Sequence, residues 1–246
     1  MRQAASKHVD ETGWSLAGQL CWLWLAATQG TACFKVCLGR GRDSLRQLLG
    51  QSIQGVLCSD RWSAYNLMAV MSRQICWAHL KRDFQKWVDY GPQTTAIGQA
   101  GLKAVQKLFA SWESFQQRAM DRPGLQADLA PVMIDLYAAL EAGRACPVKK
   151  AATFCGHLLD LYPALWTFTR QGGVEPTNNL AERLLRTAVI WRKISFGNHS
   201  EDGCRFAERI LTTVQTLRLQ NRPVLAYLTD ALTAHRAGQP APLLVG

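Results

Sequence analysis

The chain has 246 residues, 48% of them apolar and 19% charged, which is the balance of a globular protein with a sizeable core and excludes a disordered or fibrous chain. Its 28 Lys and Arg against 18 Asp and Glu leave a formal charge of +10, which favours a polyanionic partner, nucleic acid before an anionic membrane surface. No apolar run of signal-peptide length occurs in the opening MRQAASKHVDETGW, so a cytoplasmic location is expected.

Residues 12–34 carry no charge, a length that could span a bilayer. Gly13, Gly18, Gln19, Gln29 and Gly30 interrupt that stretch at hairpin spacing, however, so it reads as buried strands and no membrane partner is expected. Strands are predicted over 7–16, 20–28 and 31–38, with Ala17-Gly18 and Gln29-Gly30 as turns, giving an antiparallel meander. After Arg40-Gly41-Arg42 come a short helix over 44–49, a buried parallel strand over 55–58 ending at Ser59-Asp60, a short helix over 65–70 and a fifth strand over 73–77.

From His79 the spacing turns helical: Leu80, Phe84, Trp87 and Val88, then Leu102, Val105, Leu108, Phe109 and Trp112, then 125–140 and 153–168. Gly91-Pro92, Arg122-Pro123-Gly124 and Cys146-Pro147 punctuate this segment and Gln171-Gly172-Gly173 ends it. Two more helices follow over 177–190 and 200–219, and Pro223 opens a last one that fades at Gly238. The fold class is α/β, organised as a sheet-forming part over 1–78, an all-helical insertion over 79–172, a return to the sheet over 173–222 and a C-terminal helix and tail over 223–246. The eight cysteines are scattered and no secretory signal precedes them, so they read as thiols of a reducing compartment, not as a disulfide framework.

Three acidic positions are candidates for carrying chemistry. Alternation along the first strand puts His8, Asp10 and Thr12 on one face and Val9, Glu11 and Gly13 on the other, so Asp10 and Glu11 cannot both serve one site. Aspartate is depleted within strands, so Asp10 needs a reason to be there. Asp60 ends the buried parallel strand, where ligands of open α/β sheets gather; if the two strands are neighbours, the two carboxylates lie side by side. Paired carboxylates resist joint ionisation unless a cation neutralises them, and oxygen-only ligands suit Mg²⁺ or Mn²⁺ better than zinc. The competing reading for each aspartate is a strand-end cap or a surface residue. Glu182 sits on a helix whose apolar stripe is Leu180, Ala181, Leu184, Leu185 and Ala188; the competing reading there is a capping box between Asn179 and Glu182.

The blocks HVDETGW, SDRWSAY, CWAHLKRDF, TNNLAERLLR, WRKISFGNHSEDGCRFAERI and TLRLQNRPVLAYL resemble, in order and over nearly the whole chain, the catalytic domain of bacterial transposases of the insertion sequence 66 (IS 66) family. The resemblance implies an RNase H-like mixed sheet, three antiparallel strands followed by parallel ones, with a helical insertion between the second and third acids. It implies a catalytic, metal-binding triad of Asp10, Asp60 and Glu182 holding two Mg²⁺ or Mn²⁺ ions. The implied activity is cleavage of transposon-end DNA and strand transfer of the freed 3′-hydroxyl to target DNA. The implied partners are DNA, further copies of the chain assembled on it, and accessory proteins of the element.

Cys76 and His79 offer two ligands at Cys-x-x-His spacing where a structural zinc site takes four, so a structural role without zinc is expected. Lys81 and Arg82 follow that element, and Arg183, Arg186, Arg192 and Lys193 follow the third acid; as a group they are candidates for phosphate contacts. Trp22 and Trp24 read as core. Full-length family members carry an N-terminal end-recognition region, whereas nine residues precede Asp10. The alternative expectation is therefore a truncated, non-autonomous remnant that binds DNA or an intact partner without catalysing transposition.

Overall fold

The computed structural model describes residues 4–245 and divides into two compact units, one made of 4–68 with 178–245, the other of 69–177. In chain order the first stretch forms β1 (Ser6–Leu16), β2 (Gln19–Ala27), β3 (Ala32–Cys37), α1 (Arg42–Leu49) and β4 (Val56–Ser59). The second unit holds β5 (Arg73–Ile75), α2 (Trp77–Tyr90), α3 (Pro92–Gln116), α4 (Arg122–Gly143), α5 (Lys149–Asp160), α6 (Tyr162–Leu165) and α7 (Thr167–Arg170). The chain then returns to the first unit with α8 (Asn179–Ser195), α9 (Glu201–Leu219) and α10 (Val224–Arg236). No helix among the described residues is long and apolar enough to cross a membrane.

The first unit is a mixed sheet with helices on both faces, in the order β3-β2-β1-β4. β1 and β2 pair antiparallel from His8↔Ala27 to Leu16↔Gln19, joined by Ala17-Gly18. Both turn residues have positive φ, 50° and 81°, the backbone that lets a two-residue turn follow the right-handed twist of its strands. β2 is almost continuously apolar because both its faces are covered. Trp24 and Ala26 pack with Val9, Leu45 and Tyr65 under α1, while Cys21, Leu23 and Leu25 pack with Trp14, Leu184, Leu185 and Leu211 under α8 and α9.

The free edge of β3 is closed by side chains. Thr216, Thr212 and Glu208, one turn apart on α9, accept hydrogen bonds from the backbone N–H groups of Ala32, Phe34 and Val36 at 3.0, 2.9 and 2.7 Å. Two strand residues advance about 6.6 Å and one helical turn about 5.4 Å, near enough for three consecutive matches. An edge that could template pairing with another chain is thereby occupied.

The second unit packs its helices closely. A Cβ at Gly101 would lie 2.1 Å from the Phe84 ring, and one at Gly98 would lie 2.6 Å from the Phe84 carbonyl, so these two glycines let α3 approach α2. The unit spans 69–177, wider at both ends than the 79–172 read from helical spacing. Three elements differ from the sequence reading. The helix expected over 65–70 is two 3₁₀ turns, Ser63–Leu67 and Val70–Ser72. The strand expected over 73–77 stops at Ile75, because Cys76 caps α2 and Trp77 opens it. The helix expected over 153–168 breaks at Leu161 into α5 and two short segments, the first with Pro163 in its opening turn, where its missing N–H costs nothing.

Gly101→Ala should lower stability by about 2 kcal/mol, the cost of forcing an extra methyl against an aromatic ring in a packed core. Urea denaturation monitored by circular dichroism reads this as a drop in midpoint, whereas the exposed Gly172→Ala, with open space around it, should leave the midpoint unchanged.

Candidate functional site

β1 and β4 pair in parallel at Ser6↔Val56, Lys7↔Leu57 and His8↔Cys58, after which β4 ends at Ser59. Carried two residues further, the same register sets Asp10 beside Asp60, at the point where the strands part. Asp10 shares its face of β1 with His8, Thr12 and Trp14, and all three of those side chains meet α8 or the turn that follows it. Glu182 lies in the first turn of that helix.

The Asp10 carboxyl is pushed up to about 8, chiefly by burial and then by the charges of Glu11, Asp60 and Glu182, against a hydrogen bond from the Glu11 N–H at 2.9 Å. Asp10 thus feels the charges of both Asp60 and Glu182 within this unit. The donors are carboxylate oxygens, and a buried carboxyl repelled by its neighbours fits a hard divalent cation, which would supply the missing counter-charge.

Glu11 serves the opposite face, as the alternation requires. Its carboxylate accepts from Arg40 Nε at 2.7 Å and from the Tyr65 hydroxyl. Burial still raises its pKa, and these two donors oppose the rise. The Arg40 guanidinium stands over the Trp62 ring at 4.1 Å and the Trp22 ring at 4.7 Å. Trp62 Nε1 donates to the Arg40 carbonyl at 2.9 Å, and the Trp62 backbone N–H donates to Asp60 Oδ1 at 2.8 Å. The segment leaving β4 is therefore fastened to the partner of Glu11, and the Asp60 carboxylate is held through the same residue. In the sequence Arg40 reads only as a pattern break in GRGRD; the isolated arginine between tryptophan-bearing blocks was the available signal.

The capping box between Asn179 and Glu182, the competing reading for that glutamate, is not formed. The N-cap is Asn178, and Asn179 is the first helical residue. Asn178 makes no side-chain cap bond, because its amide is drawn to β1: Nδ2 donates to the Val9 carbonyl at 2.9 Å, and Oδ1 lies 3.2 Å from His8 Nδ1, which makes that ring nitrogen the donor. Both residues are buried. This contact sets the first turn of α8, and so Glu182, against the strand that carries Asp10. The apolar stripe of α8 is buried as expected, at Leu180, Ala181, Leu184, Leu185 and Ala188.

The remaining candidates fall in different places. Arg183, Arg186 and Lys193 are exposed on α8, whereas Arg192 is turned to β1, donating to Thr12 Oγ1 at 3.2 Å and to the Gly13 carbonyl. Lys81 and Arg82 are exposed on α2 in the second unit. Cys76 and His79 lie in that unit too, with a ligand atom of each within 4.8 Å of the other. All eight cysteines are free thiols.

Comparison with known proteins adds the family context. The sequence profile of the transposase IS66 family matches residues 1–206. The chain is 28% identical over 247 residues to the uncharacterized protein y4qI of Sinorhizobium fredii (strain NBRC 101917 / NGR234), covering 89% of this chain and 44% of that protein. It is 25% identical over 214 residues to the uncharacterized protein y4hP of the same organism, covering 78% of this chain and 38% of that protein. The chain thus spans less than half the length of either relative. No solved structure matches it.

Two outcomes test this geometry. Asp10 holds a proton when folded that it gives up when unfolded, so metal-free stability falls as pH rises from the ordinary 3.8 towards about 8 and is level above that. Asp10→Asn should therefore stabilise the protein in EDTA above that pH by roughly 2–5 kcal/mol, and much less near pH 4; an equal gain at both would show that the charge is not responsible. Asn178→Ala should cost about 1–3 kcal/mol by leaving the Val9 carbonyl without its donor, read by the same melts.

Proposed function

The chain belongs to the IS66 family of transposases, and from that premise we propose that its first unit is an RNase H-like catalytic core whose Asp10, Asp60 and Glu182 cut transposon-end DNA and join the freed end to target DNA. The observation that carries this reading is the Asp10 carboxyl, half-buried where β1 and β4 part and raised to about 8 by desolvation and by acidic neighbours that include both other members of the set.

The reaction needs two displacements at phosphorus. In the first, water attacks the phosphodiester, a P–O bond forms to it, the bond to the 3′-oxygen breaks, and that oxygen leaves as a 3′-hydroxyl. In the second, this hydroxyl attacks a target phosphodiester and the target's own 3′-oxygen departs, so bonds formed and broken balance without an energy source. Two divalent ions, Mg²⁺ or Mn²⁺, held by Asp10, Asp60 and Glu182, supply the Lewis acidity and the charge stabilisation when bound.

The protein's own contribution is placement. β1 fixes Asp10, the Trp62 N–H fixes Asp60, and Asn178 fixes the turn that bears Glu182. Burial on the sheet face limits water around Asp10 and strengthens every charge interaction there. Glu11 is kept out of the site by Arg40 and Tyr65, which hold its carboxylate on the other face. Exposed cations on α8 extend the positive surface beside the acids, as a polyanionic substrate requires.

Asp10→Asn, Asp60→Asn and Glu182→Gln should each reduce Mg²⁺- or Mn²⁺-dependent nicking of a duplex carrying the element's end by at least about 100-fold, with the fold retained by circular dichroism. A variant that nicks like the parent removes its residue from the set, and nicking that persists in EDTA overturns the reading.

A further inference from the structure

α8 is fastened to β1 at both of its ends. Asn178 holds its start, Arg192 its last turn, and the turn after it is locked by Asn198. The Asn198 N–H donates to the Ser15 carbonyl at 2.8 Å, its carbonyl accepts from the Ala17 N–H at 2.7 Å, and its Oδ1 accepts from Trp14 Nε1 at 2.8 Å. Between these anchors Phe196 ends the helix with φ +60°, and its N–H donates to the Arg192 carbonyl at 2.8 Å. The left-handed region is disfavoured for an aromatic residue, and here the locked turn imposes it. The ring it presents is 81% exposed.

Phe196 has apolar company. On the outward face of α8, opposite its buried stripe, Ile190 is 51% and Ile194 is 74% exposed. The same face carries Arg183, Arg186 and Lys193, at spacings of three, seven, ten and eleven residues that include the two isoleucines. Glu182, at the far end, is the helix's single acidic residue. Three large apolar side chains on a rigid mount, flanked on the helix only by cations, do not suit bulk water. They do not suit an acid-lined protein groove as well as they suit a polyanion with an apolar interior.

We propose that this face of α8 docks on duplex DNA, with Arg183, Arg186 and Lys193 on backbone phosphates and Phe196, supported by Ile194 and Ile190, inserted as a wedge at a base step from the minor groove. Wedges of this kind unstack a step and bend the duplex, which brings more backbone against the protein. From Glu182 to Phe196 the helix rises about 21 Å, roughly six base pairs of duplex, so the wedge would deform DNA within one helical turn of a phosphodiester held at the acids. The choice of DNA as the polyanion rests on the proposed function; the wedge itself is tested without it.

The test is binding of the full chain in EDTA to a labelled duplex, by anisotropy across a salt series, with 2-aminopurine at successive steps reporting unstacking. Phe196→Ala should weaken binding about tenfold at every salt concentration without changing the salt slope, and should abolish the 2-aminopurine signal. Lys193→Ala should instead lower the slope by about one. Phe196→Leu should restore much of the affinity, whereas Phe196→Asn, suited to the left-handed backbone, should fold as well as the parent and bind like the alanine variant. The proposal is overturned if Phe196→Ala and Ile194→Ser bind and unstack DNA like the parent. It is equally overturned if their effect is confined to oligomeric state by light scattering or to binding of phosphatidylglycerol vesicles. Because no metal is present in these measurements, a failure of the acids to support cleavage would leave the wedge standing, and the converse also holds.

Discussion

A carboxylate sits where water reaches it only in part and where its neighbours repel it. Asp10 is placed there by β1, whose ladder with β4 ends at His8↔Cys58, so the next outward-facing position meets the start of the following loop instead of another strand. Parallel strands that part leave room between their C-terminal ends, and that room collects Asp10 and Asp60 at once. A like-charged pair in such a place is relieved when one carboxyl keeps its proton, and the raised Asp10 pKa expresses that relief. The remaining architecture supports it: α1 and the Tyr65 turn seal one face, and α8 and α9 seal the other.

Adjacent acids with opposite fates show how strand geometry sorts chemistry. Glu11 is one residue from Asp10 and more fully buried, and it is given an arginine and a tyrosine donor while Asp10 receives a single backbone N–H. A carboxylate well provided with donors is a structural tie, whereas the repulsion at Asp10 is left largely uncompensated. Here the tie also reaches the second acid, since Arg40 stacks on Trp62 and the Trp62 N–H holds Asp60. The polar network on one face of the sheet thereby steadies a carboxylate that serves the other.

α8 does two things with one body. Its inner stripe packs on Trp14, Leu23 and Leu25, and its two ends are joined to β1 by asparagine side chains and an arginine. Asn178 would ordinarily cap the helix, but satisfying the Val9 carbonyl next to Asp10 takes precedence, because a buried unpaired carbonyl costs more than a helix start that can be capped in other ways. What results is a helix with little freedom to shift, bearing Glu182 at one end and Phe196 at the other.

Much of this was legible in the sequence because it follows from local periodicity. Alternation gave the faces of β1, the apolar run gave a strand covered on both sides, and the spacing of Leu180, Ala181, Leu184, Leu185 and Ala188 gave the inner stripe of α8. Period and position made Asp10, Asp60 and Glu182 candidates beside plainer readings as caps or surface residues, and the resemblance of the surrounding blocks to a known family is what joined them into one set. Tertiary structure alone decided the rest. Nothing local says that Arg40 lies between Trp22 and Trp62, that Asn178 abandons its cap for β1, that Arg192 turns inward while Lys193 turns out, or that Asp10 feels the charges of Asp60 and Glu182. Those outcomes depend on parallel register and on hydrogen bonds between residues 29 to 184 positions apart, and a chain's own pattern encodes which face a side chain takes but not which distant partner is waiting on it.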